Sequence, residues 1–279
     1  EVAGEKIEMQ ENLAKVSSML FARAKEMERG NASIEQARGK LLAQIEKLRG
    51  QTAAIHKKVM VKEQTSKEWY ERYRWFVTTD GLLAIGGRDA SSNSALIRKH
   101  LTEHDIVFHA EVHGSPFFIV KNAAAPAQEG KIDSSLTEVA KATVAFSRAW
   151  KDGLSSADAY WVTPDQIKKG APTGQFLPKG SFVIEGKRSY LKGMEIRLAI
   201  GIVQSNNKET LVCGPEESIK KRAMFYSVLQ QGGMDPMTAA KKAKTEFVKI
   251  AGDSDVAETI KRISLDDFVR ALPTGQSRI

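Results

Sequence analysis

The chain carries one cysteine, Cys213, in 279 residues. That excludes an internal disulfide framework and fits a reducing, cytoplasmic compartment. In Thr-Leu-Val-Cys-Gly-Pro it reads as a buried strand end rather than a reactive thiol. Proline is sparse, and none occurs before Pro116, so nothing upstream forces a helix to break. No apolar run approaches the ~20 residues of a membrane-spanning helix, and the charged start does not read as a signal peptide. Glu1 rather than methionine stands first, as expected of a piece of a longer protein. What the chain has is positive charge: 42 Lys and Arg against 34 Asp and Glu, a formal net charge of +8. Such a balance favours polyanionic partners, nucleic acid or an anionic membrane. The hydrophobic share, 42%, is ordinary for a folded protein, and the length suffices to bury a core.

The first ~70 residues read as an elongated helix. Leu13, Val16, Leu20, Ala24 and Met27 step by three and four, as do Ile34, Ala37, Leu41, Ile45, Leu48, Thr52, Ile55 and Val59. This narrow seam in a charged helix is a coiled-coil pattern. Gly30-Asn31 and Gly50-Gln51-Thr52 are the candidate turns. An antiparallel hairpin turning near 50–54 is preferred, with one long, kinked helix as its rival. Aromatics crowd residues 69–76, and a β-hairpin follows at 75–79 and 82–87, with Asp80-Gly81 as a type I′ turn. A helix over 91–102, capped by Ser91 or Ser92, leads to strands at 105–111 and 117–121, a loop at 122–133 and a helix over 134–151. Strands recur at 158–163, 181–186, 194–204 and 210–213. Helices are expected at 215–230, 235–251 and 264–272, with Asp235-Pro236 opening the second.

Several constellations carry chemistry, each with a plainer reading beside it. Gly86-Gly87-Arg88-Asp89-Ala90-Ser91-Ser92-Asn93 joins a strand to a helix. Glycines there let amides approach a phosphate, or the segment is a tight turn with Arg88 and Asp89 paired. No Gly-Lys-Ser/Thr follows, so it is not a P-loop. His100 and His104, and His109 and His113, sit four apart without the carboxylates or cysteines of a metal site, so no metal or other cofactor is expected. His109 and His113 suit RNA stacking or hydrogen bonding better. His113-Gly114-Ser115-Pro116 lacks the Gly-x-Ser-x-Gly of a nucleophile elbow, and no catalytic residue is assigned. Ser147-Arg148-Ala149-Trp150-Lys151 ends a helix with cations. Basic loops at 164–172 and 186–188 read either as a backbone-tracking RNA surface or as a solvated charged edge.

In their order and spacing, many blocks resemble the NFACT (NEMF-like) ribosome quality-control family. They include Lys67-Glu68-Trp69-Tyr70-Glu71-Arg72-Tyr73-Arg74-Trp75-Phe76, Thr79-Asp80-Gly81-Leu82, Ile85-Gly86-Gly87-Arg88-Asp89-Ala90 with Asn93, Asp105-Ile106-Val107-Phe108-His109-Ala110, Ser147-Arg148-Ala149-Trp150 and Tyr160-Trp161-Val162. Together they look like the NFACT-R domain over about residues 67–205. The His113-Gly114-Ser115-Pro116 turn is nearer the archaeal and eukaryotic branch. The arm resembles the family's coiled-coil region, notably Ala22-Arg23-Ala24-Lys25-Glu26. The resemblance implies a scaffold, not an enzyme, that binds large ribosomal subunits obstructed by peptidyl-tRNA and recruits tRNA. It also implies a ubiquitin-ligase-type or ribosomal protein partner for the arm, and no membrane. The N-terminal domain with the family's Asp-Arg tailing pair lies outside this chain, and Arg88-Asp89 is not that pair.

The expected fold is α+β: a helical coiled-coil arm (1–68), a mixed or antiparallel sheet domain with flanking helices (69–205), and a C-terminal strand and helical extension packed on it (206–279). The candidate RNA-facing residues are Arg74, Arg88, Asn93, His109, His113, Ser115, Lys121, Arg148, Lys168, Lys169, Lys187 and Arg188. The alternative is a protein–protein interaction module, its arm binding a partner or an adhesin-type ligand and its basic charge incidental.

Overall fold

From Leu13 to Glu63 the backbone follows a single α-helix, α1. The structure, a computed structural model, describes residues 13–63, 68–168, 180–205 and 208–279. The chain divides after Lys67 into two compact units. In the first, α1 runs straight through residues 50–54, so the preferred hairpin does not form and the long helix does. Glycine costs about 1 kcal/mol in a helix interior, less than the several hydrogen bonds a break would forfeit. The heptad positions Leu13, Met27, Ile34, Leu41 and Leu48 are all exposed.

In the second unit, β1 (Arg74–Val77) and β2 (Leu83–Gly86) form the predicted hairpin. Its turn is not type I′, which needs positive φ at both central residues. Only Gly81 has it, and Thr78 N–H closes a three-residue loop onto the Leu82 carbonyl. Side-chain ties account for the extra residue. Asp80 accepts from Ser135 Oγ at 2.6 Å and Glu138 accepts from Thr79 N–H at 2.9 Å, fixing the loop to the next long helix. Helix α2 (Ala90–His100) starts one residue earlier than predicted. Asp89 is its cap, and Ser92 reciprocates in a capping box.

β3 (Ile106–Ala110) and β4 (Phe118–Val120) follow. A short helix α3 (Ala124–Gln128) interrupts the expected loop. The expected helix over 134–151 is two helices, α4 (Asp133–Ala145) and α5 (Arg148–Lys151), because Ser147 Oγ turns inward to cap Ala149 N–H. β5 (Ser156–Val162), the ribbon of β6 (Ile167–Lys168) and β7 (Val183–Ile184), and β8 (Ser189–Glu195) come next. The main sheet is antiparallel, in the order β1-β2-β4-β3-β5-β8. Strand alternation divides its core. Ile106, Phe108, Phe118 and Val120 belong to the larger cluster with α4 and Trp150, whereas Ile85, Val107 and Ile119 belong to the other with Leu96 and Ile97 of α2.

A second antiparallel sheet is built from β9 (Leu198–Ser205), β10 (Lys208–Gly214), β11 (Ala223–Met234) and β12 (Ser277–Arg278), in the order β10-β9-β11-β12. Cys213 is buried in β10, and burial pushes its thiol up to about 12. The helix expected over 215–230 stops early, as α6 (Glu216–Arg222), and the rest is β11. Phe225, Tyr226 and Val228 favour a pleated surface, and β11 fills the slot between β9 and β12. Helices α7 (Pro236–Ala251) and α9 (Leu265–Ala271) lie where predicted, with Asp235 capping α7. Helix α8 (Asp255–Arg262), capped by Ser254, was not anticipated.

Candidate nucleic-acid interface

β3, β5 and β8 are neighbours at one side of the main sheet, with β8 at its edge. Their registers set His109 opposite Tyr160, and Tyr160 opposite Tyr190. Residues directly opposed across antiparallel strands share a face, so the three rings form a row over three strands. Ring centroids are 6.0 Å apart for His109 and Tyr160 and 5.4 Å for Tyr160 and Tyr190. Phe117 abuts the inner end, 4.6 Å from His109. Two residues along the strands and on the same face, the pair Val107 and Val162 belongs to the cluster that α2 covers.

The row opens at its outer end. Tyr160 is buried, His109 half-buried, and Tyr190 is 47% exposed. The Arg188 guanidinium lies 4.7 Å from the centre of the Tyr160 ring. Its Nη1 donates to Glu111 Oε1 at 2.9 Å, and the Tyr190 hydroxyl donates to the same oxygen, also at 2.9 Å. Glu111, just past the end of β3, therefore fixes both the cation and the outermost ring. Burial pushes the His109 imidazole down to about 4 and the Tyr160 phenol up to about 12. Both rings are neutral at physiological pH, and the cation of the patch is Arg188.

Other predicted residues gather nearby. Lys187 is exposed, while its carbonyl accepts from Gln166 Nε2 at 2.8 Å. Lys168 is exposed on the β6–β7 ribbon, 3.7 Å from Glu185. His113 is exposed on the turn after β3. Ser115 is buried and pins that turn, accepting from Ala110 N–H at 3.0 Å and donating to the Pro116 carbonyl at 3.1 Å. Arg148 is exposed and pairs with Asp152 at 3.4 Å. It stands beside the same turn, since a Cβ on Gly114 would lie 3.8 Å from its own. Lys169 lies outside the described residues.

Four further predicted residues are turned inward, and their expected RNA-facing role is corrected. Arg74 is 8% exposed; its Nη1 donates to the Ala271 and Leu272 carbonyls, and its guanidinium packs 4.1 Å from the centre of the Phe146 ring. Arg88 is not a phosphate fork. It donates to the carbonyls of Arg72, Tyr73 and Arg270. Asn93 is buried, and its Oδ1 accepts from Phe117 N–H at 3.1 Å. Lys121 donates to Asp105 at 2.6 Å and to the His100 carbonyl at 2.9 Å. The two glycines serve packing. A Cβ on Gly86 would strike the Phe118 ring at 2.4 Å, and one on Gly87 would strike Asn93 Oδ1 at 1.9 Å. The amides of Arg88 and Asp89 are spent on Ser92 Oγ, not left for a phosphate. Tyr160, Tyr190 and Glu111 were missed as site residues, because cross-strand register is what unites them.

Residues 72–186 match the model of the NFACT protein RNA binding domain. Among curated relatives, the archaeal Rqc2 homolog aRqcH of Methanocaldococcus jannaschii is 34% identical over 218 residues, covering 78% of this chain and 30% of that protein. The ribosome quality control complex subunit NEMF homolog of Drosophila melanogaster is 28% identical over 211 residues, covering 76% of this chain and 20% of that protein. The C-terminal part of the fibronectin/fibrinogen-binding protein of Streptococcus suis aligns over 57% of this chain and 51% of that chain, at 18% identity and a TM-score of 0.39. The chain thus spans less than a third of the length of the two curated relatives. On the family-model match, and on the 34% identity to aRqcH over 218 residues, the chain belongs to the NFACT (NEMF-like) family and carries that family's RNA-binding domain.

Proposed function

We propose that this chain is the RNA-contacting part of a ribosome quality-control factor, a scaffold rather than an enzyme. It binds the large ribosomal subunit obstructed by peptidyl-tRNA and helps recruit tRNA. The observation that carries the reading is the ring row His109–Tyr160–Tyr190 with Arg188 against it and Lys187 and Lys168 exposed nearby. Neutral rings flanked by cations suit a chain of bases on a phosphate backbone. The relatives, named as ribosome quality control complex subunits, supply the setting. The test is to crosslink the chain to purified large subunits and to tRNA, then map the linked nucleotides and residues. Crosslinks concentrated on the β3–β5–β8 face support the reading. RNA binding that does not weaken between low and moderate salt would remove it.

A second reading has its own observation. Leu13, Met27, Ile34, Leu41 and Leu48 of α1 are all exposed, and an apolar heptad seam is a surface for a helical protein partner. Partner capture that survives nuclease and is lost on Leu41→Asp favours that role for the arm.

A further inference from the structure

We propose that the outer end of the ring row is a site for one unpaired RNA base, stacked on Tyr190 and on the outer face of the Arg188 guanidinium. The inference rests on the RNA reading above and narrows it from backbone contact to the capture of an unstacked base. Packing does not account for Tyr190 as it does for its neighbours. Tyr160 and Phe117 are in the core, whereas Tyr190 keeps 47% of its surface exposed on an edge strand. A half-exposed ring would ordinarily be free to change rotamer. Here its hydroxyl is tied to Glu111 Oε1 at 2.9 Å, and its ring sits 5.4 Å from Tyr160. The orientation is therefore set before any ligand arrives, which lowers the ordering cost of binding.

Arg188 is arranged to the same end. Its guanidinium lies 4.7 Å from the centre of the Tyr160 ring, and Glu111 anchors it through Nη1 at 2.9 Å. Bases stack on guanidinium planes as they do on aromatic rings. Paired bases within an A-form helix do not present such a face, because each is already stacked between its neighbours; unpaired bases in loops, bulges and single strands can be splayed out. The ligand chemistry is accordingly a base splayed out of a loop, bulge or single strand. Lys187, next in the chain and exposed, is the cation assigned to the attached phosphate. Glu111 is a positioning residue that holds ring and cation in one place.

The test uses the whole chain and fluorescence anisotropy with two probes, a short single-stranded oligoadenylate and a blunt duplex RNA without unpaired bases. Tyr190→Ala is expected to weaken oligoadenylate binding by about tenfold, the scale of one lost stacking contact, and to leave duplex binding within about twofold. Tyr190→Phe keeps the ring and should retain most of the affinity, which separates stacking from the loss of a hydroxyl. Thermal melts of both variants check that the fold is intact. Suppose Tyr190→Ala binds oligoadenylate like the parent while Lys187→Glu weakens it; the base site is then wrong and the RNA reading stands. If the parent chain binds neither probe at low salt, both are wrong. Equal losses on duplex and single strand also overturn the base site.

Discussion

Arg74 donates from a single nitrogen, Nη1, to the carbonyl of Leu272 at 3.2 Å, across 198 residues of chain. The same nitrogen reaches the Ala271 carbonyl at 3.2 Å, and Arg88 Nη1 donates to the Arg270 carbonyl. The last carbonyls of a helix have no partners within it and carry its negative end. Two arginines from the start of the main sheet thus terminate α9, near the end of the chain. The basic residues that most resembled ligand-binding groups are spent on joining residues 69–90 to residues 265–272.

This arrangement makes a stability prediction. Arg74→Leu leaves two carbonyls without a donor and empties the guanidinium's place on Phe146, and it should cost about 2–4 kcal/mol. Urea unfolding measures it. Arg74→Lys should recover only a minor part, since an ammonium lacks the planar face that packs on the ring. The RNA affinity of the folded fraction should stay within about twofold. A large loss of affinity at full stability would return Arg74 to the ligand surface.

The Gly87–Asn93 contact predicts a second loss. An added Cβ on Gly87 would fall 1.9 Å from Asn93 Oδ1, the acceptor for Phe117 N–H. Gly87→Ala should therefore push Asn93 aside and leave a buried amide unpaired, costing about 2–3 kcal/mol. Asn93→Ala alone should cost a similar amount, and the double variant little more than either single one, because both act on the same bond. Additive losses in chemical denaturation would show that the two residues act separately.

His109 sets a pH dependence. Its folded-state value is about 4, against 6.5 for the ordinary imidazole, with burial the main cause. Between those two pH values the unfolded chain binds a proton that the folded chain refuses. Stability must therefore fall as pH drops from about 6.5 towards about 4. At 1.36 kcal/mol per pKa unit, and allowing for partial exposure, the loss attributable to this ring is about 2 kcal/mol. Carboxylates titrate in the same range, so the measurement is the difference in unfolding free energy between the parent and His109→Gln across that window. A difference that stays flat with pH would mean that His109 is solvated enough to take up its proton in the fold.

How much of this was legible depends on whether a residue's role is local. The β1–β2 hairpin, the Asp235-Pro236 start of α7 and the helical period of α1 are written in short-range pattern, and all are found. β11 was misread as helix because its strand character is realised only between β9 and β12, partners some 20 to 50 residues distant. Arg74 and Arg148 look alike in sequence, but one ends buried on carbonyls and the other at the surface. Nothing nearby in the chain distinguishes them. His109, Tyr160 and Tyr190 lie far apart in sequence, and only two consecutive strand registers bring them into line. Charge and turn chemistry point to the loops 113–116 and 186–188 and to His109, whereas nothing local in the sequence points to Tyr160 and Tyr190.

The last prediction separates a surface cation from a structural one. Lys187 is exposed, and its backbone carbonyl accepts from Gln166 Nε2. Lys121 is tied by its ammonium to a fully buried Asp105 at 2.6 Å. Lys187→Glu should leave the melting temperature unchanged, weaken RNA binding, and make the slope of log affinity against log salt shallower by about one counterion. Lys121→Met should do the reverse. It strips the buried carboxylate of its cation, and although Thr102 and Asn122 N–H still donate to Asp105, the cost should be about 2–3 kcal/mol with an unchanged salt slope. Titrations at several salt concentrations, paired with melts of the same preparations, read both quantities. If Lys121→Met flattened the salt slope while Lys187→Glu did not, the RNA face would lie on the α2–β4 side of the sheet, and the ring row would be core that happens to reach the surface.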